Sequence, residues 1–146
     1  MEIRPMQMCD YNGVYTLWLN CKGMGLNDLD DSREGIARYL ARNPTTCFVA
    51  IEQDCVIGAI LAGHDGRRGY ISHTAVFPAR QRQGIGKQLV EAAVKALKAE
   101  GIHKVNLVVF AHNTQGNAFW EKIGFTERPD LIYRNRTLVD MVRIDT

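Results

Sequence analysis

The chain has 146 residues, 46% of them hydrophobic and 23% charged, which suits one folded domain over residues 1–146 with one core. A formal net charge of +2 excludes an argument for nucleic-acid or membrane binding from charge alone, although the basic residues cluster locally. No apolar run approaches the roughly 20 residues a spanning helix needs. The start, "MEIRPMQMCD", lacks the apolar core of a signal peptide. Cys9, Cys21, Cys47 and Cys55 include no C-x-x-C pair. The expectation is a cytoplasmic protein with reduced thiols and no metal.

Taken in chain order, Glu2 to Arg4 reads as a short strand. Asp10 is placed to cap a helix whose apolar face is Val14, Leu17, Trp18 and Cys21. Lys22 to Asp31 is a loop. Asp31 and Glu34 have the spacing of a capping box for a second helix, with Ile36, Tyr39 and Leu40 as its stripe and Asn43-Pro44 as its end. Two strands follow, Cys47 to Gln53 and Val56 to Asp65, broken at Asp54-Cys55, and then a third, Tyr70 to Pro78. A helix with Ile85, Leu89, Ala93 and Leu97 on one face ends at Gly101. Lys104 to Phe110 reads as a strand buried on both faces, Gln115 to Ile123 as a helix, and the tail as two strands around Asn135-Arg136. The fold class is α/β, and the strand–helix–strand unit from Tyr70 to Phe110 demands a parallel pair.

The densest chemical signal is "RQRQGIGK", Arg80 to Lys87, at a strand-to-helix corner. A helix N-terminus carries about four unpaired N–H groups and roughly half a positive charge, so it attracts anions. Gly84 and Gly86 leave the backbone open, and Arg80, Arg82 and Lys87 add positive potential. A phosphate group fits this corner; a tight turn with no ligand is the alternative. A P-loop is excluded because Gln81 stands where its first glycine belongs and Gln88 where its Ser/Thr belongs. A dinucleotide fingerprint is excluded because Leu89 replaces its third glycine.

The wider context, "VFPARQRQGIG", resembles motif A of the GNAT superfamily of N-acetyltransferases, V-x-P-x-x-[RQ]-x-x-G-x-[GA], at Val76, Pro78, Gln81, Gly84 and Gly86. "NTQGNAFWEKIGF" resembles motif B, N-x-x-A-x-x-L-Y-E-K-L-G-F, at Asn113, Glu121, Lys122, Gly124 and Phe125. The length and the "HDGRRG" turn are also similar to the small bacterial YpeA-like members. The resemblance implies the GNAT fold, a mixed central sheet whose fourth and fifth strands are parallel and splayed, flanked by helices. It implies acetyl-CoA as cosubstrate and direct acetyl transfer to the primary amine of a small molecule or peptide. It implies a pyrophosphate cradle at Gln81, Arg82, Gln83, Gly84, Ile85, Gly86 and Lys87, with the amides from Arg82 to Lys87 on the phosphates. Val76 would pair with the pantetheine arm and turn its N–H to the thioester carbonyl, and Asn113 would contact the pantetheine. Many members dimerise through terminal strands, which makes a homodimer an expectation by analogy.

The catalytic groups depart from the family pattern. Trp120 occupies the position of the motif B tyrosine, the usual general acid, and an indole N–H donates a hydrogen bond without giving up its proton. Trp120 is then a donor to the leaving sulfur or a packing residue, with Tyr133 as a substitute acid. Strand alternation from Val76 sets Thr74, Ser72 and Tyr70 on one face. Ser72 relays a proton only through water, and Tyr70 faces the acceptor. His73 has a base's chemistry but points to the opposite face unless a bulge shifts the register. His64 is a second, weaker candidate. Asp28, Asp30 and Asp31 on the loop between the first two helices suit a cationic amine, with Trp18 as a wall of the acceptor site. Solvated carboxylates and a core tryptophan are the plainer alternatives. Two other functions compete: an acyl-CoA-binding sensor without turnover, and an acetyltransferase acting on charged tRNA, which the small net charge and acidic loop oppose.

Overall fold

The computed structural model describes residues 1–145. Strands β1 (Glu2–Pro5), β2 (Phe48–Glu52), β3 (Cys55–His64), β4 (Gly69–Val76) and β5 (Val105–Asn106) form one sheet in the order β1-β2-β3-β4-β5. Neighbours are antiparallel except β4 and β5, which run parallel. Helices α1 (Tyr11–Leu19) and α2 (Arg33–Arg42) cover one face, where Val14, Leu17, Trp18, Ile36 and Leu40 meet Val49, Ala59, Leu61 and Ala75. Helix α3 (Ile85–Ala99) covers the other, setting Ile85, Leu89, Val90, Ala93 and Leu97 against Ala50, Ile60, Ala62 and Ile71. Helix α4 (Thr114–Lys122) adds Phe119 and Trp120 to that second layer. The central β3 is covered on both sides, which is why its sequence is an unbroken apolar run. No helix of the described residues is long and apolar enough to cross a membrane.

Several local expectations need correction. Asp10 does not cap α1 with its side chain; its carboxylate accepts from Gln7 N–H at 2.9 Å and from both Arg4 nitrogens at 2.8 Å. Ser32, not Asp31, caps α2 by accepting from Gly35 N–H at 3.0 Å. The β2–β3 turn is Gln53-Asp54 rather than Asp54-Cys55, and both residues take positive φ, 51° and 62°, as the twist of a tight hairpin requires. β4 stops at Val76, and Pro78 opens a short 3-10 turn to Arg80 instead of ending the strand.

The largest differences lie at the C-terminal side. Only Val105 and Asn106 pair with β4, so the Lys104-to-Phe110 run is not a long strand buried on both faces; Val108 and Phe110 are exposed. Among the described residues the tail forms no hairpin of strands. Leu131, Ile132, Leu138 and Val139 are exposed, and a bridge joins Arg143 to Asn27. A two-residue β5 offers no long edge on which a further strand could be laid.

Candidate functional site

The site begins where β4 and β5 part. Gly69 N–H donates to Lys104 carbonyl at 2.9 Å, pairing continues through Tyr70 and Asn106, and β4 then runs on to Val76 without a neighbour on that side. At its end, Phe77 N–H donates to Ile57 carbonyl at 2.8 Å, toward β3. Alternation along a strand then turns the backbone groups of Val76 into the gap. The contacts of Val76 agree, since its carbonyl accepts from Gln81 Nε2 at 3.0 Å and from the Cys21 thiol at 3.5 Å, both outside the sheet.

Beyond Val76 the chain builds a corner of unpaired amides. Arg82 and Gly84 take φ of 63° and 81°, a bend that a side chain at 84 would strain. Helix α3 starts at Ile85, whose side chain is buried and anchors the corner. Gln81 N–H and Gln88 N–H, on either side, have carbonyl partners at 3.4 and 3.1 Å. The six amides between them, Arg82 to Lys87, donate no hydrogen bond among the described residues. Six successive free N–H groups at a helix N-terminus form a concave field for an anion. Gly86 has a second role, because a Cβ there would lie 3.3 Å from the Phe119 ring. Arg80 contributes less than expected: its guanidinium holds Glu52 at 2.7 and 3.0 Å, and that bond keeps the Glu52 carboxyl below its ordinary range. Arg82 and Lys87 are exposed at the corner's rim. Asn113 caps α4 through Oδ1, which accepts from Gly116 N–H at 2.9 Å, leaving Nδ2 without a partner among the described residues.

The opposite side of the gap depends on a bulge in β4. Ala59 faces Ala75, but Leu61 faces Ser72, so His73 and Thr74 together span the single residue Ile60. His73 carries the distortion, with φ of 47°. The bulge breaks the expected alternation. Ser72 and Tyr70 lie opposite Leu61 and Gly63 on the α1/α2 face, while Val76 packs in the α3 layer. His73 also turns to the α1/α2 face, where its ring meets Trp18 edge-on at 5.0 Å. His73 Nε2 lies 2.7 Å from Asp31 Oδ1. Asp31 is buried; its other oxygen accepts from Asn27 N–H at 2.8 Å, and its carbonyl accepts from Tyr11 hydroxyl at 2.7 Å.

The remaining candidates are spread. Trp18 is fully buried with no partner for its indole N–H, so it forms the floor under His73 rather than an open wall. Asp28 accepts from Val142 N–H at 2.6 Å, and Asp30 from Asn27 Nδ2 at 3.0 Å, so the acidic loop is clasped rather than free. Asp145 completes the clasp by accepting from Met24 and Leu26 N–H at 3.0 and 2.7 Å. Trp120 is packed edge-on between Phe119 and Phe125, with ring centroids 5.1 Å away on each side. Tyr70 sits at the closed end of the strand pair, about 20 Å along β4 from Val76 at roughly 3.3 Å per residue. Burial and the neighbouring Tyr133 hold its hydroxyl above the ordinary tyrosine range. Tyr133 itself is exposed on the tail, its hydroxyl accepting from Asn135 Nδ2 at 3.4 Å. The Asp31–His73 pair escaped the sequence reading because 42 residues separate its members; the bulge leaves His73 opposite Val76 and reverses Ser72 and Tyr70.

Comparison with known proteins places this geometry. Residues 11–125 match the model of the Acetyltransferase (GNAT) family. An acetyltransferase of Photorhabdus laumondii is 33% identical over 142 residues, covering 96% of this chain and 98% of that protein. A Clostridium acetobutylicum protein assigned as an acetyltransferase and solved with acetyl-CoA has a TM-score of 0.73 at 22% identity, covering 92% of this chain and 95% of its own. An N-acetyltransferase of Thermoplasma acidophilum solved with coenzyme A also scores 0.73 at 22% identity, over 86% of this chain and 89% of its own.

Proposed function

The chain belongs to the Acetyltransferase (GNAT) family, and from that premise we propose that it moves an acetyl group from acetyl-CoA to a primary amine by direct transfer in a ternary complex, the chain acting as one catalytic domain. The observation that carries this reading is the run of six unpartnered amides from Arg82 to Lys87, set beside an open strand edge. The donor's pyrophosphate lies on these amides, flanked by Gln81 and Gln83 and by the Arg82 and Lys87 side chains. Each charge-assisted hydrogen bond there contributes about 1.5–3 kcal/mol. The pantetheine runs along β4 as an added strand, meeting Val76 and, from the far side, Asn113 Nδ2. Neighbours solved with acetyl-CoA and coenzyme A support this class of donor.

The Val76 amide, turned into the gap, faces the thioester carbonyl and stabilises the oxyanion of the tetrahedral intermediate. One such donor is worth roughly 10²–10³-fold in rate. The acceptor enters from the α1/α2 face, past the loop that Asp28 holds to the tail. An amine with a pKa of about 10.4 arrives protonated and must lose a proton before it attacks. Ser72 stands on this face as a water-mediated relay. Trp120 lines the cofactor side, and Tyr133, beside Tyr70 at the closed end of the strands, takes no part in the step.

One observation favours a second reading, a non-catalytic acyl-CoA-binding regulatory module. The family's usual proton donor is replaced by Trp120, and that ring is wedged between two phenylalanines. Release of free CoA thiol from acetyl-CoA separates the two. The assay runs over amino acids, peptides with free N-termini, polyamines and aminoglycosides, each against an amine-free blank. Release that depends on one amine class identifies an enzyme and its acceptor. No release by protein that binds acetyl-CoA in calorimetry identifies the module.

A further inference from the structure

His73 is held as a base would be. A carboxylate only accepts hydrogen bonds, so the 2.7 Å contact with Asp31 places a proton on Nε2 of the neutral ring. That leaves the lone pair on Nδ1. Nδ1 has no partner among the described residues and is not sealed from solvent. His73 lies with Ala75 on the α1/α2 face, and the bulge brings Ser72 onto that same face beside it. No other histidine has this combination. His64 uses Nδ1 to accept from Gly66 N–H at 2.9 Å and sets Nε2 3.7 Å from Glu100. His112 is exposed and stacked on Phe110, and His103 is exposed.

We propose that His73 is the general base that takes the acceptor's proton, and that Asp31 is the positioning residue that fixes its tautomer and steadies the imidazolium. The proposal rests on the transfer reading above. The acceptor ammonium gives one proton to Nδ1. The freed nitrogen attacks the thioester carbonyl; the C–N bond forms, and the C–S bond breaks with its electron pair leaving on sulfur. The second proton lost by the nitrogen ends on the CoA thiolate, and His73 returns its own to solvent. No oxidant, reductant or metal enters the balance.

The test uses the full chain and whichever of L-lysine, an alanine-initiated peptide, spermidine and kanamycin the wild-type protein acetylates. His73→Ala should lower kcat by about 10²-fold or more, the usual contribution of a general base, with the acetyl-CoA Kd within threefold of wild type. Added imidazole should restore part of the rate. His73→Gln, close in size, provides the same comparison if the alanine variant unfolds. Asp31→Asn should lower kcat and, by nitrogen-15 NMR, no longer hold His73 in one tautomer, because an amide side chain can donate as well as accept. Beside the pair, the Tyr11 hydroxyl donates to the Asp31 carbonyl and the Arg33 guanidinium lies over the Tyr11 ring. Nitrogen-15 NMR of the imidazole should show the Nε2–H tautomer in the wild type. A folded His73→Gln with wild-type kcat, activity loss that imidazole does not restore, or an Nδ1–H tautomer overturns the assignment and leaves acetyl transfer standing. Absence of amine-dependent release by the wild type overturns the transfer reading and this proposal with it.

Discussion

Gly84 offers the sharpest test of the cradle. A Cβ built there meets nothing within 4 Å, so a side chain fits without a clash. The cost to the fold is the left-handed backbone, φ 81°, which asks roughly 1–2 kcal/mol of a non-glycine residue. For a chain of this length that lowers Tm by about 2–8 °C. Gly84→Glu also brings a carboxylate to the place assigned to the pyrophosphate and obstructs the neighbouring amides. Losing two charge-assisted hydrogen bonds at about 1.5–3 kcal/mol each gives 3–6 kcal/mol, or about 10²–10⁴-fold in Kd. Isothermal calorimetry with acetyl-CoA, beside a thermal melt, reads both quantities. A folded Gly84→Glu protein with a Kd within threefold of wild type would falsify the cradle. Gly86 is the poorer site for this test, because a side chain there also strikes Phe119 and confounds binding with packing.

Arg80→Met should change the acetyl-CoA Kd by less than fivefold, since Glu52 holds that guanidinium away from the cradle, whereas Lys87→Met should weaken binding more and flatten its salt dependence; calorimetry at two ionic strengths compares them. The Arg4 bond holds the Asp10 carboxyl below its ordinary range, so its stabilisation is present above about pH 4 and lost as pH falls below that. Asp10→Asn should cost about 1.5–3 kcal/mol at pH 7 and flatten the acid side of the stability profile in urea titrations. Burial pushes the Cys47 thiol up to about 12, and Cys21 is raised by the same cause. Exposed Cys9 and Cys55 should therefore react with a thiol reagent at pH 8 in minutes, Cys21 slowly and Cys47 only on unfolding, as mass spectrometry of the labelled protein would report.

The parts legible in the sequence were those whose causes are local. The α3 stripe, the Asn43-Pro44 stop and the β3 run follow from periodicity and turn chemistry within a few residues of each other. The unpaired amides from Arg82 to Lys87 belong to this group: free amides are a property of any helix start, and Gly84 marks the left-handed bend that opens them. Asp31 was misread because its spacing to Glu34 satisfies a capping rule that Ser32 satisfies better in space. Tertiary structure alone decided the side of the sheet on which each β4 residue lies, because one bulged residue reverses every parity before it. It also decided how early β5 leaves β4, where the tail clasps the acidic loop, and that Asp31 meets His73. Each of these is a contact between segments far apart in the chain. The sequence therefore determined where unpaired amides open at the start of α3, while the packing of α1, the following loop and β4 determined that His73 meets Asp31.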